Sequence, residues 1–193
     1  MEAFNAQLEV RGLIIRKGTL IDASFVQSSS KKRRVDGEAG SYGGQSEGHV
    51  FGYKMHAAVD QFSGLVRKVI VTSANVNDTT AADELIMGDE RAVYADKGYD
   101  KHQRRKELRQ RGIFPGLMHR GNKHHSLSAK QKAFNQRITG IRAPVERTFG
   151  ILKQHYRLRR TRYLGLVRTA VQITLACIAM NIKRALVLES LAC

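Results

Sequence analysis

The chain of 193 residues has the length of one domain or slightly more, and with 42% hydrophobic and 26% charged residues it can bury a core. Its 33 Lys and Arg against 17 Asp and Glu leave a net charge of +16, which argues against an ordinary metabolic enzyme and for a polyanionic partner, nucleic acid before an anionic membrane. Cys177 and Cys193 are too few for a disulfide scaffold, and the longest uncharged stretch, Thr169 to Ile182, is too short and too polar to span a bilayer. A soluble protein of a reducing cytosol is expected.

In chain order, Met1 to Glu9 reads as a short helix, and the β-branched and aromatic residues of Leu13 to Val26 predict a strand over Thr19 to Val26. Residues 27 to 49 are rich in Gly and Ser and nearly free of large apolar side chains, so they read as a flexible insertion within a single domain spanning 1–193. Phe51 to Val59 and Leu65 to Thr72 follow as two strands of a hairpin. Asn77 can cap a helix running to about Met87, and Arg91 to Ala95 reads as a short buried strand. Lys101 to Arg111 predicts a helix stopped by Gly112, and Ile113 to Met118 a last strand at a sheet edge because of Pro115. Ser128 to Thr139, Pro144 to Tyr156 and Leu164 to Leu188 predict three helices. This order makes an α/β fold.

In so basic a chain the carboxylates are informative. Asp83, Glu84, Asp89 and Glu90 read as solvent-facing, and Asp36, Glu38 and Glu47 fall in the insertion. Asp22 lies inside a strand, where an ionised group must be paired or bound to a cation; a strand-edge Asp bonded to a loop is the simpler alternative. Asp96 ends a buried strand, where ligands gather in open α/β sheets, although a turn Asp before Gly is as common. Glu146 is the single acid from Leu108 to Leu188, among 17 Lys and Arg; pairing with neighbouring Arg residues is its plainer role. Three carboxylates in basic surroundings suit a hard cation such as Mg²⁺, and two such ions can drive phosphoryl transfer.

The segments GTLIDASFV, GYKMHAAVD, ADKGYD and RAPVERTFGILK, in this order, give the chain from about Gly12 to Leu188 a specific likeness. It resembles the catalytic part of an IS4/IS5-type DDE transposase of bacterial insertion sequences. The resemblance implies an RNase H-like fold, a mixed five-stranded sheet flanked by helices with its first three strands antiparallel. It implies that Asp22, Asp96 and Glu146 are catalytic and bind two Mg²⁺ ions, which Mn²⁺ can replace, and that Arg142 and Lys153 hold DNA phosphates. The family's last motif reads Tyr, two residues, Arg, three residues, Glu, six residues, Lys; here Thr139 replaces the Tyr.

The partners implied are double-stranded DNA, both transposon ends and target, and a second copy of the chain. The short segment before Asp22 leads us to expect a helical DNA-binding subunit encoded in an upstream frame. No membrane partner is expected, and the location implied is the bacterial cytoplasm, at the nucleoid.

Outside the motif, Arg157, Arg159 and Arg160 read as a continuation of the helix that carries Glu146, tracking phosphates. Lys31 to Arg34 fit either DNA contact or a solvated loop, and Lys54 and His56 either face the site or face solvent. His119, His124 and His125 lack the further ligands of a zinc site. Phe134 and Phe149 read as core residues. The function expected is metal-dependent DNA strand cleavage and strand transfer. The alternatives are a catalytically inactive truncated fragment that only binds DNA, and a nuclease of the same fold that cuts without joining.

Overall fold

Strand β1 (Thr19–Gln27) forms the middle of the molecule, its residues alternating between two apolar layers. The computed structural model describes residues 1–29, 40–45, 48–121 and 126–192. Ahead of β1 lies helix α1 (Glu2–Val10). After it come β2 (Ser41–Gln45), β3 (Gly48–Asp60), β4 (Val66–Ser73), α2 (Asp78–Leu85) and β5 (Ala92–Ala95). A 3₁₀ turn at Lys97–Tyr99 leads to α3 (His102–Gln110), β6 (Phe114–Leu117), α4 (Ala129–Gln154) and α5 (Leu166–Ala192).

The described strands make one six-stranded sheet. β3 pairs antiparallel with β1 along one edge; β2 and β4 share its other edge, β2 against Gly48 to Gly52 and β4 against Tyr53 to Val59. β5 joins β1 in parallel and β6 joins β5 in parallel. The tight β3–β4 turn is held by the buried Asp60 carboxylate, which accepts from the Phe62 and Ser63 amides and the Ser63 hydroxyl, with Gly64 at positive φ. Leu20, Val26, Met55, Ala57 and Val59 meet Val145, Phe149 and Leu152 of α4 and Ile173, Cys177 and Met180 of α5 on one face. Ile21, Ala58, Val93, Ala95 and Leu117 meet α2 and α3 on the other. This is the mixed α/β, RNase H-like architecture expected, with β2 added to the five strands foreseen.

Three sequence expectations change. Ser41–Gln45 lies within the stretch read as a flexible insertion and forms an edge strand. Edge pairing uses backbone groups, so a Gly- and Ser-rich composition hides it. Residues 30 to 39, Lys31 to Arg34 among them, lie outside the described residues.

The helices predicted over Ser128 to Thr139 and Pro144 to Tyr156 are one continuous α4. Ser128 and Gln131 close a capping box at its start, and Pro144 sits inside it, giving up the one backbone N–H it lacks. Finally, α4 stops at Gln154, so Arg157, Arg159 and Arg160 follow the helix instead of continuing it.

Helix α5 is long and apolar enough to cross a membrane by length and composition alone. Here it lies against β4 and carries Ile173, Cys177 and Met180 into the core. Asn181, fully buried, ties it to the sheet by accepting from the Val66 amide and donating to the Val66 carbonyl.

Candidate active site

Parallel pairing sets the first two acidic residues side by side. Thr19 lies level with Val93 and Leu20 with Tyr94, so the same register carried forward brings Asp22 level with Asp96 at the carboxyl end of β5. Side chains alternate, and Leu20 and Tyr94 both pack in the layer under α4; Asp22 and Asp96 therefore project to that face. Asp96 also caps the 3₁₀ turn, Oδ1 accepting from the Gly98 amide at 2.8 Å. Backbone geometry thus orients one of its oxygens.

Helix α4 supplies the third side. Arg142 is buried and donates from Nη2 to Asp22 Oδ2 at 2.8 Å, while Asp22 Oδ1 accepts from the Ala23 amide at 2.9 Å. Glu146 follows one turn later and is exposed. Burial pushes the Asp22 carboxyl up to about 6; Arg142 and the Ala23 amide oppose the rise, and the charges of Asp96 and Glu146 add to it. Asp96 and Glu146 are therefore both near enough to act electrostatically on Asp22.

An oxygen donor set of this kind matches a hard divalent cation, which takes carboxylate ligands and keeps water and phosphate oxygens. As the side chains stand, no group of three acidic, histidine or cysteine residues among the described residues is gathered tightly enough to hold one ion. The Arg142 guanidinium is the cation on Asp22. Asp22 and Asp96 fit the role of ligands by position and chemistry, and Glu146 by chemistry and proximity.

The basic residues assemble beside the same helix. Lys153 is half-buried, and burial with the nearby charge of Arg159 lowers its pKa. Beyond α4, Leu158 plugs the core while the chain runs along the end of β1: the Gln27 amide donates to the Arg159 carbonyl and the Thr161 amide to the Gln27 carbonyl. Arg157, at positive φ, and Arg159 and Arg160 are left exposed there.

Thr139, at the position of the motif's Tyr, is exposed and donates to the Asn135 carbonyl in its own helix. Lys54 and His56 do not reach the site. They lie on the opposite face, where Lys54 pairs with Asp78 and the buried His56 meets Thr72 Oγ1 at 2.8 Å. His119 packs against Phe134 with the rings tilted by 56° and 5.2 Å between centroids, and Phe134 borders a cleft; His124 and His125 lie outside the described residues.

Three groups escaped the sequence reading. Tyr99 is buried, its hydroxyl has no hydrogen-bond partner, and burial together with the charges of Asp22, Asp78 and Asp96 raises its pKa. Its place in the ADKGYD segment is the only signal. Asn135 clamps the exit of β6 to α4, accepting from the His119 amide and donating to its carbonyl. Asp83 and Asp89 are exposed as read, but both also hold arginines that the reading missed: Asp83 takes Arg104, and Asp89 takes the buried Arg67 through both oxygens at 2.7 Å. Glu90, also read as solvent-facing, is buried beside that same arginine.

With this geometry in hand, residues 15–182 match the family model described as the transposase DDE domain. Among curated proteins, the chain is 29% identical over 207 aligned positions to the transposase for insertion sequence element IS1106 of Neisseria meningitidis serogroup B, an alignment covering 96% of this chain and 71% of that protein.

Proposed function

The chain belongs to the transposase DDE-domain family, and from that premise we propose that it cuts DNA strands at the ends of an IS4/IS5-type insertion sequence and joins them to target DNA. Water attacks a phosphodiester at the element's end and breaks its P–O3′ bond, leaving a 3′-hydroxyl and a 5′-phosphate; that hydroxyl then attacks a target phosphodiester, forming one P–O bond as the target's own P–O3′ bond breaks and its 3′-hydroxyl leaves. The single observation that carries the reading is the alignment of Asp22 with Asp96 on one face of the sheet, under the helix that bears Glu146.

Divalent-metal dependence goes with the family; we assign Mg²⁺, with Mn²⁺ as substitute, to Asp22, Asp96 and Glu146. When bound, the metal activates the attacking oxygen and stabilises the leaving one. The chain's own residues do the rest. The Asp96 cap fixes a carboxylate oxygen, and Arg142 with the Ala23 amide fixes that of Asp22. Arg142, expected on a phosphate, is buried and paired with Asp22; Lys153 binds the phosphate next to the reacting strand, while Arg157, Arg159 and Arg160 follow the backbone of the duplex away from it. A second copy, an upstream-frame DNA-binding subunit and a cytoplasmic, nucleoid-associated location complete the reading.

Asp96→Asn tests it, because the Asn side chain still accepts from the Gly98 amide. Mg²⁺-dependent nicking and strand transfer should fall by at least about 10³-fold, the scale of a lost catalytic electrostatic contact, with unchanged DNA binding in a gel shift. Unaltered nicking removes the assignment. Salt-sensitive binding by the wild-type chain with no cleavage would instead favour the inactive fragment, and cutting without a joined product the cellular nuclease.

A further inference from the structure

Helix α5 is apolar on two opposite sides. One carries Ile173, Cys177 and Met180 into the core. The other carries Val167, Val171, Leu175, Ile182 and Leu186, which are between 46% and 62% exposed. At about 100° per residue these five and Ile178 fall within a stripe about 100° wide, on a helix length of roughly 28 Å. Arg168, at the edge of the stripe level with Leu186, is its only basic residue, so the stripe offers DNA little.

We propose that this stripe binds the same stripe of a second copy, antiparallel, about a two-fold axis between Ile178 and Ala179. Val171, Leu175, Ile182 and Leu186 are spaced symmetrically about that point, while Val167 falls opposite the copy's Ser190. Val171 then faces the copy's Leu186, Leu175 its Ile182, and Ile178 its Ala179. The same operation sets Arg168 opposite the copy's Glu189, the only acid of α5, which also meets Arg11 at 3.0 Å in its own chain. Two-fold pairing thus gives two ion pairs as well as a closed apolar seam, the self-complementarity an isologous interface requires.

The seam buries on the order of 1,000 Å² in total, at the lower end of specific interfaces. Each copy carries +16, so the two repel outside the seam. Added salt screens that repulsion, and it should strengthen the pair while weakening DNA binding. This inference stands on the helix and its charges alone, whatever chemistry the acidic site performs.

Sedimentation velocity of the full chain from about 1 to 100 µM should show a dimer whose fraction grows with concentration and with salt. Leu175→Glu and Ile182→Glu, both solvent-facing changes, should weaken it at least tenfold with unchanged circular dichroism. In a Cys193→Ser background, Ala179→Cys should form a disulfide-linked dimer on mild oxidation and Val167→Cys should not. A wild-type chain that stays monomeric throughout would mean the stripe is covered by some other partner, and overturns the proposal. A dimer indifferent to Leu175→Glu, or one in which Val167→Cys cross-links, also overturns it.

Discussion

Asp22 has neighbours that pull its proton equilibrium in opposite directions. Burial, Asp96 and Glu146 raise it and Arg142 lowers it, leaving the carboxyl at about 6. Since the folded value lies above the ordinary carboxylate value of 3.8, stability contributed by this group is complete below about pH 4 and is lost as pH rises through 6. The cost of ionising it in the fold is of order 3 kcal/mol. Ligand chemistry needs the ionised form, so initial cleavage rates should climb between pH 5 and 7 and level off above. Arg142→Gln should move that acid limb to higher pH, because the lowering charge is gone. A profile flat from pH 5 to 7 would mean that ionisation of Asp22 does not limit cleavage in that range. The sequence singled out Asp22, Asp96 and Glu146 because each stood in an apolar or basic context where a carboxylate is costly. It could not reveal that Arg142 closes on Asp22, since that contact depends on where α4 crosses the sheet.

Strand alternation and turn chemistry made β1, β3, β4, β5 and β6 legible within a few residues. Failures came where a local rule was overruled by packing. Pro144 reads as a helix start, yet Ile138, Val145, Phe149 and Leu152 along α4 are all buried and hold it as one rod. Asp89 and Glu90 read as surface charge because nothing in their own segment shows that Arg67, on β4, points at them from inside the fold. Arg67 also donates to Thr19 Oγ1, so it braces β1 against β4. Arg67→Met leaves Glu90 buried without its counter-charge, and urea denaturation should show a loss of about 3–5 kcal/mol. A change under about 1 kcal/mol would mean the pair is not coupled to folding. Gly52→Ala makes a sharper test of the sheet. A Cβ there meets the Val26 carbonyl and the Phe25 ring, where β1 and β3 approach, and the melting temperature should drop by several degrees.

At the scale of the molecule, the acidic face and the exposed arginines make separate contributions to a DNA complex. If Lys153, Arg157, Arg159 and Arg160 each neutralise a phosphate, binding measured by fluorescence anisotropy should fall with salt with a log–log slope of about −3.6. The double variant Arg159→Glu, Arg160→Glu should flatten that slope by about 2 and weaken specific and non-specific duplexes alike. An unchanged slope would move the duplex to another surface. One more consequence follows from the β1–β5 pairing. Asp22 leaves the ribosome before Asp96, and Asp96 before Arg142 and Glu146, and the two aspartates become neighbours only when β5 inserts beside β1. A nascent polypeptide therefore carries its acids apart from one another, and whatever they do together begins only once α4 has followed the sheet out of the ribosome.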